Sequence, residues 1–512
     1  MPAKSFYVTT PIYYVNDVPH IGHAYTTIAA DCIARHKRLK GYDVYFLTGT
    51  DEHGQKVEKS ARSAGLKPIE LADSVVGRFK NLWQKLNISN DAFIRTTEDT
   101  HKKAVNYIWE KIKAKGDIYL GEYEDWYCTP CESFFPEKQL IEGKCPDCKR
   151  SVEKIKEISY FFRMSGYQDA LLRHIEANPD FIQPDAKRNE VVNFIKEGLR
   201  DLSISRTSFS WGIPVPDDPK HVIYVWFDAL INYLTAIGYP DDMDKFNKFC
   251  PADLHLVGKD ILRFHTVYWP TFLLSADLPL PKKVFAHGWW TVDGQKMSKS
   301  LGNVVDPNEV IERYGVDQFR YFLLREVPFG LDGDFSKTAL INRINGDLAN
   351  DLGNLLSRTT AMVVKYLDGD IIKPDTWNPQ DDSLRNVLEE SVKNFEAAMD
   401  ELAFSRALTS VWTVLSRTNK YVDEMAPWTL ARDAGKRERL IQVLYNVLEI
   451  LRVIGIILHS FMPQTAEKIW KQLGIEKCFS NLTFSEEVKW GGLHGGIKLT
   501  RGEILFPKVE GL

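Results

Sequence analysis

Two short runs in this 512-residue chain carry the residue types that handle phosphate. Pro19-His20-Ile21-Gly22-His23 follows a strand-like segment and opens a helical pattern. Backbone N–H groups and the helix dipole at such a place favour anions. Two imidazoles there can hydrogen-bond phosphate oxygens, and Gly22 permits close approach. Alone the run is weak evidence, since two histidines on a turn are more often polar surface. Lys296-Met297-Ser298-Lys299-Ser300, with Gly294 and Gly302 beside it, has the composition of a mobile loop. Its lysines can close on a polyphosphate and neutralise charge developing on a leaving group. That pentapeptide alone reads equally well as a solvated basic loop. No GxxxxGK[ST] and no GxGxxG stands at the first strand, which counts against P-loop and dinucleotide sites.

Four of the seven cysteines are bunched as Cys128-x2-Cys131 and Cys145-x2-Cys148, with thirteen residues between the pairs. Each pair can wrap two thiolates onto one ion, and four protein ligands close a tetrahedral shell with no open catalytic position. This is a strong signal for one structural zinc. An odd cysteine count in a long chain argues against a disulfide framework. Cys32, Cys250 and Cys478 are expected to be buried core thiols.

The elements that must position these residues read as a split α/β unit followed by helices. Phe6 to Ile12 and Asp43 to Thr48 are strands, and His23 to Lys40, Lys67 to Leu86 and Thr100 to Lys115 are helical. That alternation implies a parallel sheet. The cysteine-bearing insertion occupies 116–215, after which strand-like runs at His221 to Phe227 and Leu254 to Val257 suggest that the sheet resumes. From about Phe335 apolar residues fall at bundle spacing, through Leu348, Leu352, Leu355 and Leu356 and again through Leu440, Leu444, Val447, Leu448 and Leu451. The tail from Ile497 to Phe506 alternates like a strand and is expected to pack back on the molecule. The expected divisions are 1–115, 116–215, 216–285, 286–345 and 346–512.

Apolar residues make up 44% and charged residues 26%, ordinary for a globular protein, and the length implies two to four domains. A formal net charge of -4 makes any nucleic-acid site a local patch. No secretory signal precedes the first strand. The most apolar helical stretch, near Leu440 to Leu458, is interrupted by Glu449 and Arg452 and reads as a bundle helix, not a membrane span. A cytoplasmic protein is expected.

Taken together, in this order and on these elements, the two phosphate-handling runs resemble the HIGH and KMSKS pair of class I aminoacyl-tRNA synthetases. The runs Val8 to Tyr14 (VTTPIYY), Gly49 to Gly54 (GTDEHG), Tyr224 to Ala229 (YVWFDA), Gly258 to Ile261 with His265, and Ala426-Pro427-Trp428 are similar to the methionyl-tRNA synthetase family, bacterial type. The resemblance runs from Phe6 to about His459. It implies a Rossmann-like doubly wound parallel sheet split by a zinc-binding insertion and followed by an α-helical bundle. It also implies methionine activation with magnesium-bound ATP, then loading of tRNA(Met), initiator and elongator.

By that resemblance His20, His23, Lys296 and Lys299 are catalytic, and Gly22, Gly258 and Asp260 join them in binding ATP. Ile12, Tyr14, Trp226, Ala229, Leu230, Tyr233, Ile261 and His265 form the methionine pocket, with Asp51 on the ammonium group. Asn354, Arg358 and Trp428 read the anticodon, and Cys128, Cys131, Cys145 and Cys148 hold one zinc. Two positions depart from the pattern: Leu230 stands where better-known bacterial members have proline, and Thr26 where some carry glutamate. The insertion is too small for the editing module of the leucine, isoleucine and valine enzymes. The zinc-binding cysteine that ends the first strand of the cysteine enzyme is missing from residues 6–14. No dimerising barrel follows the bundle, so a monomer is expected.

Overall fold

The computed structural model describes residues 4–16, 18–129, 133–135, 137–146, 148–292, 294–297 and 303–510. Six parallel strands form the main sheet: β1 (Ser5–Tyr14), β2 (Asp43–Asp51), β3 (Ala92–Arg95), β4 (Ile182–Gln183), β5 (Leu254–Gly258) and β6 (Val284–His287). Their spatial order is β3-β2-β1-β5-β6-β4. The order reverses between β1 and β5, and in open parallel sheets the crevice beyond the strand C-termini at such a point takes the ligand.

β1 carries a proline, which a central strand tolerates only at an irregularity because it lacks an N–H. Pairing with β2 shifts register between Thr9 and Ile12, around Pro11. A bulge of this kind bends a strand and re-aims its side chains, and here it lies just before Tyr14, which lines the crevice. The buried Thr10 hydroxyl donates to that of Thr48 at 2.9 Å, so the polar residues within the sheet satisfy one another.

Several expectations are revised. The Leu254 run joins the sheet as β5, but the His221 run does not. Asp218–Ile223 pairs instead with Pro214–Val215 and Ser205–Arg206 in a separate antiparallel sheet. The remainder of that run turns into a helix, Val225–Leu230. A short apolar run has no periodicity to separate strand from buried helix. Ile182–Gln183, within 116–215, adds to the edge of the main sheet beside β6. Ile118–Cys128 pairs antiparallel with Ser133–Phe135 and Glu153–Phe162 to form the cysteine-bearing sheet.

Helices Asn354–Leu367, Asp382–Asp400, Phe404–Met425, Arg437–Leu458 and Pro463–Gln472 build the bundle. Among the described residues one helix, Ala434–Leu458, is long and apolar enough to cross a membrane, and 89% of its most apolar window is buried inside the molecule. The two charges within its apolar stretch, Glu449 and Arg452, serve the tail. Glu449 accepts from the N–H groups of Gly491, Gly492 and Leu493 at 2.6 to 2.9 Å, and Arg452 donates to the carbonyls of Glu487 and Lys489. The tail does pack back, with Leu499, Leu505 and Phe506 buried, but it makes only a single bridge, Lys498 to Asp370, and no strand. Cys32 is buried as expected, Cys250 is half-buried and Cys478 is exposed. A small side chain in a connecting segment has no core to enter.

Catalytic unit and bundle are joined by charge. Helix α1 (Ile21–Leu39) carries Asp31, wholly buried, which accepts from Arg320 at 2.7 Å and Arg35 at 2.8 Å. Arg320, equally buried, also donates to the Phe461 carbonyl at 2.8 Å at the end of the bundle's central helix. Burial favours the neutral acid at Asp31, but Arg35 and Arg320 outweigh it and hold the carboxyl well below the usual range. Arg320→Met should lower stability by about 1.5–3 kcal/mol by taking one charged donor from buried Asp31, which keeps Arg35 and Ser89, read as a fall in chemical-denaturation midpoint. Asp31's folded pKa lies below its unfolded one, so its contribution is present above about pH 4 and disappears as the pH falls further. A midpoint unchanged at pH 7 would refute this.

Candidate active site

The C-terminal ends of β1, β2, β5 and β6 surround one region, and the helix N-terminus after β1 points into it. His20 is the N-cap of α1. Its Nδ1 accepts from the Gly22 N–H at 3.1 Å, and Nδ1 of His23 accepts from the His20 N–H at 3.2 Å. The rings stack at 3.8 Å with 25° between planes. With both Nδ1 atoms accepting, each ring keeps its proton on Nε2, leaving two N–H donors on one helix end. Burial pushes His23 well below the usual imidazole value, and His20 beside it pushes the same way. His23 is therefore built as a neutral donor, not as a cation. A Cβ on Gly22 would lie 2.9 Å from the His20 ring, so glycine is needed for that ring to cap the helix.

Two residues that spacing did not single out hold His23 in place: Tyr13 at 4.7 Å and Phe79 at 5.4 Å between ring centroids. Thr26, one of the two departures, lies 2.7 Å from Nε2 of His287 at the end of β6. The Nδ1 of His287 must donate to the Gly288 carbonyl at 2.8 Å, so Nε2 accepts from the Thr26 hydroxyl.

A cleft of about 980 Å³ opens between the main sheet and the insertion, lined among others by Tyr14, Lys56, Trp226, Asp260, Ile261 and Trp289. Tyr14, Trp226, Asp260 and Ile261 are thus brought together. Trp226 lies flat on Phe264, centroids 3.7 Å apart and planes within 3°. Ala229, Leu230, Tyr233 and His265 are buried and do not line the cleft. His265 sits in a π-helical turn, Phe264–Tyr268, a geometry frequent at functional sites. Its Nδ1 donates to the Ile261 carbonyl at 2.9 Å, so its Nε2 accepts from the Tyr233 hydroxyl at 2.8 Å. Burial pushes His265 down to about 4. Ile12 is half-buried near the end of β1 and Asp51 is buried at the end of β2. Gly258 ends β5, where a Cβ would meet Asp260 Oδ1 at 2.6 Å. That oxygen accepts from the Trp289 indole at 3.1 Å.

The second phosphate-handling run is only partly placed. Lys296 pairs through its backbone with Thr291, while Ser298, Lys299, Ser300 and Gly302 lie outside the described residues.

In the insertion, the sulfurs of Cys128, Cys145 and Cys148 lie within 4.8 Å of one another, and those of Cys128 and Cys148 are 3.5 Å apart. A tetrahedral ion with metal–sulfur bonds of about 2.3 Å spaces its sulfurs by roughly 3.8 Å. A disulfide would need about 2.05 Å. The three thiols fit one metal ion, and Cys131 lies outside the described residues.

On the bundle, Asn354 and Arg358 stand one turn apart at the start of Asn354–Leu367, exposed and half-exposed. Arg358 pairs with Asp423 at 3.2 Å and lies 6.0 Å from the Trp428 ring. Trp428 follows a left-handed Ala426 and Pro427, which lift it out of the helix packing and leave it 37% exposed.

A family model for class I tRNA synthetases of the methionine type matches residues 6–158 and 150–360, and one for the anticodon-binding domain of methionyl-tRNA ligases matches 372–511. A methionine–tRNA ligase of Caldanaerobacter subterraneus subsp. tengcongensis is 59% identical over 508 residues, 99% of this chain and 79% of that one. The chain belongs to the methionyl-tRNA synthetase family. Its activity is that of a methionine–tRNA ligase, an aminoacyl-tRNA synthetase. Among solved methionyl-tRNA synthetases, that of Mycobacterium tuberculosis in complex with methionyl-adenylate matches at a TM-score of 0.95 with 46% identity, covering 98% of this chain and all (100%) of that one. The free state of the M. tuberculosis enzyme matches at 0.88 with 43% identity, covering 100% and 99%.

Histidines 53 and 101 were not singled out by spacing, nor was Asp228, yet the fold gathers them beside the pocket. Asp228 and His53 stand inside the YVWFDA and GTDEHG runs; His101 carried no signal, being one polar residue on an amphipathic helix.

Proposed function

We propose that the ligase reaction runs in two steps at this cleft. The methionine carboxylate attacks the α-phosphate of magnesium-bound ATP in line and expels pyrophosphate. The methionyl adenylate then passes its acyl group to the 3′-terminal ribose of tRNA(Met), initiator or elongator. The observation that carries this is the pair of Nε2–H donors at the start of α1, just beyond the C-terminal end of β1, whose last residue Tyr14 walls the cleft with Trp226 and Ile261. Positioning and electrostatics do most of the work in such phosphoryl chemistry, so no covalent nucleophile is required.

In this reading His20 and His23 hold the ATP phosphates with Gly22, Gly258 and Asp260, and Lys296 and Lys299 close over the departing pyrophosphate. Asp51 meets the ammonium group. Tyr14, Trp226 and Ile261 wall the side chain from the cleft, and Ile12, with the buried Ala229, Leu230, Tyr233 and His265, completes the pocket. The soft sulfur of methionine favours the aromatic contacts. The resemblance of the whole chain to a methionyl-adenylate complex supports that assignment. Divisions at 1–115, 116–215, 216–285, 286–345 and 346–512 separate these tasks. The enzyme acts as a cytoplasmic monomer.

One structural zinc on Cys128, Cys131, Cys145 and Cys148 orders the insertion and takes no part in the chemistry. Stripping it with a chelator should release about one zinc per chain and lower the melting temperature. Loss of zinc with no change in melting would remove the structural role.

Asn354, Arg358 and Trp428 recognise the anticodon, an indole stacking on a base and the polar pair bonding base edges. Trp428→Ala should cut tRNA aminoacylation by about 10- to 100-fold, as expected for loss of one stacked base, with methionine-dependent exchange unaltered. Equal loss in both assays would place Trp428 in folding.

The deciding test is ATP–pyrophosphate exchange with each standard amino acid and no tRNA. Exchange driven by methionine supports the pocket. Exchange driven by cysteine or a branched aliphatic residue overturns it.

A further inference from the structure

We propose that Asp228 is a positioning residue for methionine recognition, tying the helix that carries Trp226, Ala229 and Leu230 to the loop that carries Asp51. The proposal rests on the pocket reading above. Asp228 is wholly buried in the six-residue helix Val225–Leu230. A buried carboxylate is costly unless its oxygens are paired, and each oxygen here takes one imidazole. Oδ2 lies 2.7 Å from His53 Nδ1, and Oδ1 lies 2.8 Å from His101 Nε2. Burial alone would raise the carboxyl, but the two imidazoles outweigh it and hold it at about 2. The ionised group can only accept, so both rings donate to it.

The partners come from separate elements. His53 stands two residues beyond Asp51, just after β2. His101 belongs to Asp99–Ala114 and its Nδ1 lies 3.1 Å from the Thr235 hydroxyl, on the short helix that bears Tyr233. From the other side the Trp211 ring packs on His53 at 5.6 Å, and its indole donates to the Glu52 carbonyl at 2.6 Å. One carboxylate thus sets the distance between the ammonium end and the thioether end of the pocket. Asp228, His53 and His101 do not line the cleft, so their effect passes through Asp51 and Trp226.

Asp228→Asn keeps the shape but turns one acceptor into a donor facing a ring N–H. In ATP–pyrophosphate exchange its KM for methionine should rise about 10- to 100-fold, the worth of a hydrogen bond to a charged group. The KM for ATP should change far less. A crossed pair separates hydrogen bonding from packing. Asparagine at 53 keeps a donor where Nδ1 was, and glutamine at 101 keeps one where Nε2 was. His53→Asn should therefore have a lower methionine KM than His53→Gln, and His101→Gln a lower one than His101→Asn. A pure packing role would rank asparagine and glutamine the same way at both positions, and that ranking overturns the proposal. So does a folded Asp228→Asn with the parent's KM. Asp51→Asn and Trp226→Ala are measured alongside. If they too leave the KM unmoved, the pocket reading itself fails; if they raise it while the Asp228 and histidine variants do not, only the positioning role fails.

Discussion

Asp51→Asn should lower kcat/KM for methionine by about 100- to 1,000-fold, the worth of one partner in a buried ion pair. Asp51 is 4% exposed at the end of β2, so an ammonium group arriving there leaves water behind. Without an opposing charge that desolvation is uncompensated. Asparagine matches the shape, so the fold should stand and the KM for ATP should hardly move. The neighbouring Glu52 provides the contrast. Its carboxylate already accepts from Thr50, Thr97 and Arg95, the last through two nitrogens at 2.7 and 3.0 Å. Glu52→Gln should therefore act on stability before it acts on methionine. Initial-rate exchange and a melting curve on both variants check this, and a methionine KM that follows Glu52 in place of Asp51 would reverse the assignment.

His23→Ala should lower the exchange kcat by about 100- to 1,000-fold, as for removal of one preorganised donor to developing charge, with a smaller change in KM. The donor is a neutral imidazole, which has a consequence for pH. Burial and His20 lower the folded pKa of His23, so the ring stays neutral through the usual imidazole value and protonates only well below it. The activity owed to His23 is thus fully present above about pH 6.5 and survives some distance below. The exchange profile should show no acid limb centred near 6.5 that vanishes in His23→Ala. Such a limb would mean that the ring protonates at the ordinary imidazole value, which its burial beside His20 contradicts. Activity that instead fell as the pH rose through that value would mean that the working form is the cation, which the accepting Nδ1 contradicts. His265, pushed down to about 4, should likewise leave methionine affinity flat over that range.

The residue types and their spacing determined the chemistry of this chain. Two histidines around a glycine at a strand–helix junction, two lysines in a downstream loop and paired cysteines are local signals. Each acts through neighbours a few residues away, so a linear reading reaches them. The parallel sheet and the bundle were legible for the same reason: a period near two or near 3.6 is written into consecutive residues. Where burial removes the period, the reading failed. His221 to Phe227 is apolar throughout, and only its neighbours in space decided that half of it is a strand in another sheet and half the helix bearing Trp226.

Tertiary structure alone decided which polar groups satisfy which. Glu449 and Arg452 look like interruptions of an apolar helix, yet they hold the tail. Asp31 meets Arg320 across 289 residues, and Asp228 meets His101 across 127 and His53 across 175. A buried charge must find its partner wherever the chain brings one, and that pairing depends on topology, not on spacing. The same holds for the two imidazoles of α1. Their presence is a sequence fact, but their protonation and their aim follow from backbone N–H groups that only the folded turn puts within reach of Nδ1.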